Sequence, residues 1–190
     1  MSDLVDDDET RKNGRAFAPD NPLGHAGELD LRRRLPSKYQ WDDHSLSAMM
    51  SPVIQRSLAR FIEALPFFFI ATSSADGHCD CSFRGQEHDA SGNPLPAIRV
   101  INKVQLIFPD FSGNGLYNSL GNITVNPHIG LLFIDFEHCR RARVNGVAQI
   151  LAVNDKIRRM WPTAQAAVLV TVEQAYGNCP ARIPFMRAVG

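Results

Sequence analysis

The sequence lacks an excess of charge of either sign, and it lacks a long apolar run. Lysine and arginine together number 20, and aspartate and glutamate together number 20. A chain without a positive field is poorly suited to a phosphate backbone, so we expect no nucleic-acid partner. No apolar stretch is long enough to cross a bilayer, and the opening residues MSDLVDDDE are acidic where a secretory leader is basic. We therefore expect no membrane partner and a cytoplasmic location.

Cysteine is scarce. The chain has four cysteines: Cys79, Cys81, Cys139 and Cys179. Their number and irregular spacing do not make a disulfide framework in a chain of this length, so reduced thiols are expected. His78 and His138 stand beside cysteines, but structural zinc sites usually need a CxxC-like knuckle, and we predict no metal site. The glycine motifs of dinucleotide and P-loop sites, GxGxxG and GxxxxGK[ST], are missing as well.

The chain divides by composition into two parts. Residues 1–45 mix acidic, glycine, proline and arginine residues without apolar periodicity, which predicts an extended N-terminal arm that could wrap a partner subunit. Residues 46–190 carry the apolar patterns of a single packed domain.

Short strands dominate the predicted domain. A helix is predicted from Ser51-Pro52 to Leu65, because Ile54, Leu58, Phe61 and Ile62 recur at helical spacing. The short apolar or alternating runs between turn residues predict seven strands: 67–73, 79–84, 98–101, 104–108, 129–135, 142–151 and 166–176. Two further short helices are expected, one from about Leu116 to Asn126 and one capped by Asn154. Strands joined mainly by hairpins, without a repeated strand-helix-strand pattern, predict a mainly β antiparallel barrel.

Polar residues are concentrated in one turn and the short helix that follows it. Asn114, Asn118, Ser119 and Asn122, with the neighbouring glycines, place small donors and backbone amides where a helix dipole favours an anion. This pattern predicts a phosphate site. Asparagine, serine and glycine are equally typical of ordinary turns and caps, so the spacing leaves both interpretations open.

Three arginines are candidates to bind the same anion. Arg84 ends a strand in the stretch DCSFRG, with Ser82 two residues earlier on the same face. A guanidinium in a core-like strand needs an anionic partner, and its planar fork suits phosphate. The alternative is an Arg84 exposed at a strand end. Arg99 and Arg143 have similar positions in their strands.

Several ordered blocks of the sequence resemble the FMN-binding split barrels related to pyridoxamine 5'-phosphate oxidase. The blocks are FIATSSADGHCDCSFRG, LIFPDFSGN, SLGNITVNPHIGLLFIDF and RVNGVAQI, which together span about Phe67 to Ile150. The resemblance implies an antiparallel split β-barrel with a few short helices. It also implies a homodimer with FMN in the cleft between subunits.

The resemblance also assigns roles to particular residues. It implies that Ser82 and Arg84 hold the FMN phosphate from one strand. The turn and short helix would hold it with Asn114, Asn118, Ser119 and Asn122. Pro109 and Asp110 would border the flavin ring, and Arg143 would approach its polar edge.

Two features depart from the namesake oxidase. Asn114-Gly115 stands where that enzyme has a basic pair, and the C-terminal CPARIPFMRAVG has no histidine for a substrate phosphate. Oxidation of vitamin B6 is therefore not predicted. We expect an FMN-dependent oxidoreductase that acts on an unidentified small molecule, with no catalytic residue identified. The alternative is a non-enzymatic carrier or sensor that binds flavin, haem or a deazaflavin.

Overall fold

The computed structural model describes residues 24–187. The chain divides into two compact units, and the boundary along the sequence falls between Ser51 and Pro52. No helix among the described residues combines the length and apolar character needed to cross a membrane. The predicted division into a 1–45 arm and a 46–190 domain remains a prediction, and residues 1–23 of the arm lie outside the described residues.

The described part of the first unit contains two short helices, α1 (Ala26–Arg34) and α2 (Asp43–Met49). Helix α1 lies within the segment for which the sequence predicted an extended arm, and α2 crosses the predicted boundary at residue 45. Local hydrogen bonds start both helices. The Glu28 carboxylate accepts from the His25 N–H at 2.9 Å, and the Asp42 carboxylate accepts from the Ser45 N–H at 2.7 Å. The α1 helix has no buried residue, so it leaves no apolar periodicity in the sequence.

The described part of the second unit, residues 52–187, contains three helices and seven strands. In chain order they are α3 (Arg56–Glu63), β1 (Phe67–Ser73), β2 (Cys79–Gly85), β3 (Arg99–Asn102), β4 (Gln105–Phe111), α4 (Asn118–Val125), β5 (His128–Asp135), β6 (Arg140–Ala152), α5 (Asp155–Met160) and β7 (Ala164–Asn178). The strands form one antiparallel sheet in the order β2-β1-β5-β6-β7-β4-β3. The predicted mainly β antiparallel architecture is confirmed, as are the hairpins β1–β2, β3–β4 and β5–β6.

One helix boundary was predicted wrongly. Helix α3 begins at Arg56 instead of at Ser51-Pro52. The Ile54 N–H donates to the Lys103 carbonyl oxygen at 2.7 Å, which ties this segment to the β3–β4 turn and keeps it out of the helix. The helical periodicity was read correctly further along, because Phe61 and Ile62 are buried in the core.

The alternation of side chains along β1 and β2 separates two faces of the sheet. Phe68 and Ile70 belong to the core, and their register partners on β2 are Arg84 and Ser82. The intervening residues of both strands point to the other face, where Phe83 pairs with Phe69. The polar candidate residues Ser82 and Arg84 and the exposed ring of Phe83 therefore occupy opposite faces of the same edge strand, β2.

Candidate functional site

A cavity of about 280 Å³ lies where β2 and β4 approach the start of α4. Its lining comes from β2, β4, the β4–α4 loop, the first residues of α4 and the start of β7. The lining residues are Asp80, Ser82, Arg84, Asp110, Phe111, Gly113, Asn114, Gly115, Leu116, Tyr117, Asn118, Ser119, Leu120 and Gln165. The residues are mostly polar, and Arg84 is the one lysine or arginine among them.

Arg84 forms an ion pair across the cavity wall. Its Nη1 donates to Asp110 Oδ1 at 2.6 Å, and the side chains of Arg84 and Asp110 are 18% and 5% exposed. Gln165 Nε2 donates to the other carboxylate oxygen of Asp110 at 2.8 Å. Arg84 Nε is buried and has no hydrogen-bond partner among the described residues. The guanidinium therefore keeps donor capacity after Asp110 is satisfied.

The N-terminal end of α4 opens onto the cavity. Tyr117 is the N-cap residue, with a left-handed φ of 53°, and its side chain makes no capping hydrogen bond. The first N–H groups of a helix have no intrahelical acceptor, and here Asn118, Ser119 and Leu120 carry them at the cavity wall. With the helix dipole, these donors create a local preference for negative charge.

Ser119 and Asp80 connect α4 to β2 at the wall of the same cavity. The Ser119 hydroxyl donates to Asp80 Oδ2 at 2.7 Å, and Ser119 is 5% exposed. Asp80 lies on the same face of β2 as Ser82 and Arg84, because strand side chains alternate. The cavity thus contains a second carboxylate besides Asp110.

Six predicted cofactor-binding residues line this cavity: Ser82, Arg84, Asp110, Asn114, Asn118 and Ser119. They come from separate stretches of the sequence. The Asn114 side-chain oxygen also accepts from the Leu116 N–H at 3.1 Å, a turn contact of the kind that was the alternative interpretation of this loop.

Four other predicted residues do not line the cavity. The Asn122 amide donates to the Thr72 hydroxyl at 3.1 Å and thereby ties α4 to β1. Pro109 is buried opposite Ala167, on the other face of β4 from Asp110. Arg99 lies on the edge strand β3, where its Nη1 is 3.9 Å from Oε1 of Glu63 on α3. Arg143 is exposed on β6.

Sequence reasoning missed two polar residues of the cavity, Asp80 and Gln165. A signal for Asp80 was present, because it precedes Ser82 by two residues in a strand and so shares its face. No sequence signal identifies Gln165, which is brought to Asp110 by the long-range pairing of β4 with β7.

The cysteines lie outside the lining of this cavity. All four are free, and Cys79 and Cys81 are exposed on the face of β2 opposite to Asp80 and Ser82. Within residues 24–187, no three His, Cys, Asp or Glu side chains form a group that could hold a metal ion.

Comparison with known proteins connects this fold to one family. A family model described as pyridoxamine 5'-phosphate oxidase matches residues 54–179. The structure is similar to that of HupZ from Group A Streptococcus, with 18% identity, a TM-score of 0.51, and coverage of 65% of this chain and 93% of that one. It is also similar to a Lactobacillus delbrueckii protein classed with pyridoxamine 5'-phosphate oxidases, with 15% identity, a TM-score of 0.50, and coverage of 66% and 95%.

At these identities the structural likenesses show the fold, which is the predicted split barrel. No protein of curated function matches the sequence at a significant level.

Proposed function

The chain belongs to the pyridoxamine 5'-phosphate oxidase family, and from this premise we propose that it is a homodimeric FMN-binding protein that oxidises or reduces a small molecule. The observation that carries the proposal is the cavity in which the Arg84 guanidinium meets the uncapped N-terminus of α4. These two features are the charge and the dipole that a terminal phosphate needs.

The donors of the cavity fit the phosphate end of FMN. Arg84 Nε is buried without a partner, so an incoming oxyanion would satisfy a donor that the protein leaves unpaired. The Ser82 hydroxyl, the Asn118 amide and the first N–H groups of α4 add neutral donors along the same wall. Asp110 is already bound by Arg84 and Gln165, which leaves Asp80 as the lining group that opposes an anion.

When bound, FMN supplies the hydride or electron transfer. The chain supplies binding and orientation, because a phosphate fixed by Arg84 and α4 sets where the other end of the cofactor lies. A volume of about 280 Å³ falls at the lower limit for sites that enclose a whole ligand, so we assign the cavity to the phosphate end. The flavin ring would then lie beyond the cavity and need a second surface.

A second subunit is our candidate for that surface. Phe67, Phe69 and Phe83 form an aromatic cluster on the face of β2 and β1 opposite to the cavity, and Phe83 is 59% exposed. An exposed cluster of rings is typical of an interface, where aromatic residues are enriched. The cluster supports a homodimer in which the edge strand β2 lies close to both the cofactor and the partner.

Titration with FMN and with riboflavin tests the cofactor proposal. We expect the native protein to quench FMN fluorescence on binding. The double variant Arg84→Gln/Asp110→Asn removes both charges of the buried pair while keeping polar side chains, and we expect FMN affinity to fall by roughly ten- to a hundredfold. The control Arg99→Gln removes an arginine that is 48% exposed and outside the cavity, and it should bind FMN normally. Native protein that binds neither flavin would contradict the proposal.

The same preparation separates an enzyme from a carrier. Turnover of the bound flavin with a nicotinamide donor and an electron acceptor would support the oxidoreductase. Tight binding without turnover across a panel of donors would support the alternative, a non-enzymatic carrier or sensor of flavin, haem or a deazaflavin.

A further inference from the structure

The charged groups that line the cavity are unusual for a phosphate site. They comprise two carboxylates, Asp80 and Asp110, against one guanidinium, Arg84. A site that selects a phosphate dianion by charge alone would have the opposite balance.

The two carboxylates differ in how they are compensated. Asp110 receives an ion pair from Arg84 at 2.6 Å and an amide hydrogen bond from Gln165 at 2.8 Å. Asp80 accepts a hydrogen bond from the Ser119 hydroxyl at 2.7 Å, and it forms no ion pair within residues 24–187. The negative charge that faces a ligand in this cavity therefore belongs mainly to Asp80.

This arrangement affects a phosphate and a hydroxyl group differently. Arg84 is shared with Asp110, so its charge is only partly available to a dianion, while Asp80 would repel a dianion bound in the cavity that it lines. A hydroxyl group carries no charge and can donate a hydrogen bond to a carboxylate. Asp80 thus weakens binding of a phosphorylated end and tolerates a hydroxylated one.

We propose that Asp80 is a specificity-determining residue that reduces the preference of this cavity for a phosphate dianion over an uncharged hydroxyl end. The inference rests on the proposed flavin site. It means that the native protein distinguishes FMN from riboflavin less than the donors of the cavity alone would, and that a single neutral substitution increases this discrimination.

The test compares the dissociation constants of FMN and riboflavin in the native protein and in Asp80→Asn, measured by flavin fluorescence. The asparagine side-chain oxygen can still accept from Ser119, so the link between β2 and α4 is retained. We expect Asp80→Asn to bind FMN at least about tenfold more tightly, with riboflavin affinity changed by less than about threefold. Asp80→Glu keeps the charge and should keep the native ratio.

The matched control is Asp76→Asn, which removes the same charge from an exposed turn between β1 and β2. It should leave both constants unchanged, which separates the local effect of Asp80 from a change in overall charge. Thermal melting and circular dichroism verify that each variant is folded. If both proteins bind FMN but the ratio to riboflavin is unchanged in Asp80→Asn, the role of Asp80 is overturned and the flavin site stands. If neither binds FMN, both proposals fail.

Discussion

At the scale of single residues, the buried pair of Arg84 and Asp110 is expected to be sensitive to substitution. The Asp110 side chain is only 5% exposed, and Arg84→Ala removes its cation. The buried carboxylate is then left without a compensating charge, which strongly destabilises the folded protein. We expect the free energy of unfolding to fall by about 3–5 kcal/mol in urea titrations. Arg84→Ala combined with Asp110→Ala should recover a large part of that loss, because no buried charge remains unpaired.

The control for this prediction is Arg99→Ala. The pair of Arg99 with Glu63 is 3.9 Å long and Arg99 is 48% exposed, so its loss should change stability by less than about 1 kcal/mol. If Arg84→Ala and Arg99→Ala lowered the free energy of unfolding equally, burial would not determine the contribution of these ion pairs to stability.

The same pair shows what the sequence could predict about the site. Arg84 was identified because a guanidinium in a core-like strand must have an anionic partner, and it has one. The identity of that partner could not be predicted, because Asp110 is 26 positions away and reaches Arg84 only through the fold. The ligand contact predicted for Asn122 stays a prediction, and its hydrogen bond to Thr72, 50 positions away, could not be predicted from the local pattern.

At the scale of secondary-structure elements, the β6–β7 pair requires a glycine at one position. A β-bulge lies between Asn145 and Gly146, and a Cβ at Gly146 would lie 2.1 Å from the Thr171 carbonyl oxygen. Backbone cannot move aside as a flexible side chain can, so Gly146→Ala should destabilise the protein by about 1–3 kcal/mol or more. Gly177→Ala is the matched control on β7, since a Cβ there has its nearest contact at 3.9 Å. If Gly146→Ala and Gly177→Ala had the same free energy of unfolding in urea, the prediction would be wrong, because the β-bulge would accommodate the added Cβ without loss of stability.

The positions of the strands could be predicted from the sequence, whereas the pairing of the strands in the sheet could be predicted only in part. Alternating apolar residues and turn chemistry identified all seven strands and the three hairpins. The pairings of β1 with β5, β4 with β7 and β6 with β7 join distant or helix-separated segments, and no local pattern encodes them. Helix α1 was missed for a related reason, because local hydrogen bonds start it and it has no buried apolar stripe.

At the scale of the whole molecule, the split barrel divides its chemistry between two faces. One face carries the polar cavity, and the other carries aromatic rings that a single chain leaves partly exposed. Strand alternation places Phe68 in the core and turns Phe67 and Phe69 to the opposite face of β1. Phe67 stacks on Phe83 and Phe69 meets Phe83 edge to face, which gives the proposed dimer a concrete contact surface.

Phe83→Lys tests that surface directly. A charged side chain in the centre of an aromatic interface would have to be buried without a partner, so we expect the homodimer to dissociate into monomers in light-scattering measurements. Val104→Lys is the control, because Val104 is 41% exposed in the β3–β4 turn at the opposite edge of the sheet. It introduces the same charge and should leave the subunit number unchanged. If the flavin ring needs the second subunit, the Phe83→Lys monomer should also bind FMN more weakly although every cavity residue is intact. A variant that stays dimeric would place the interface on another surface, and a monomer with native FMN affinity would mean that one chain holds the whole cofactor.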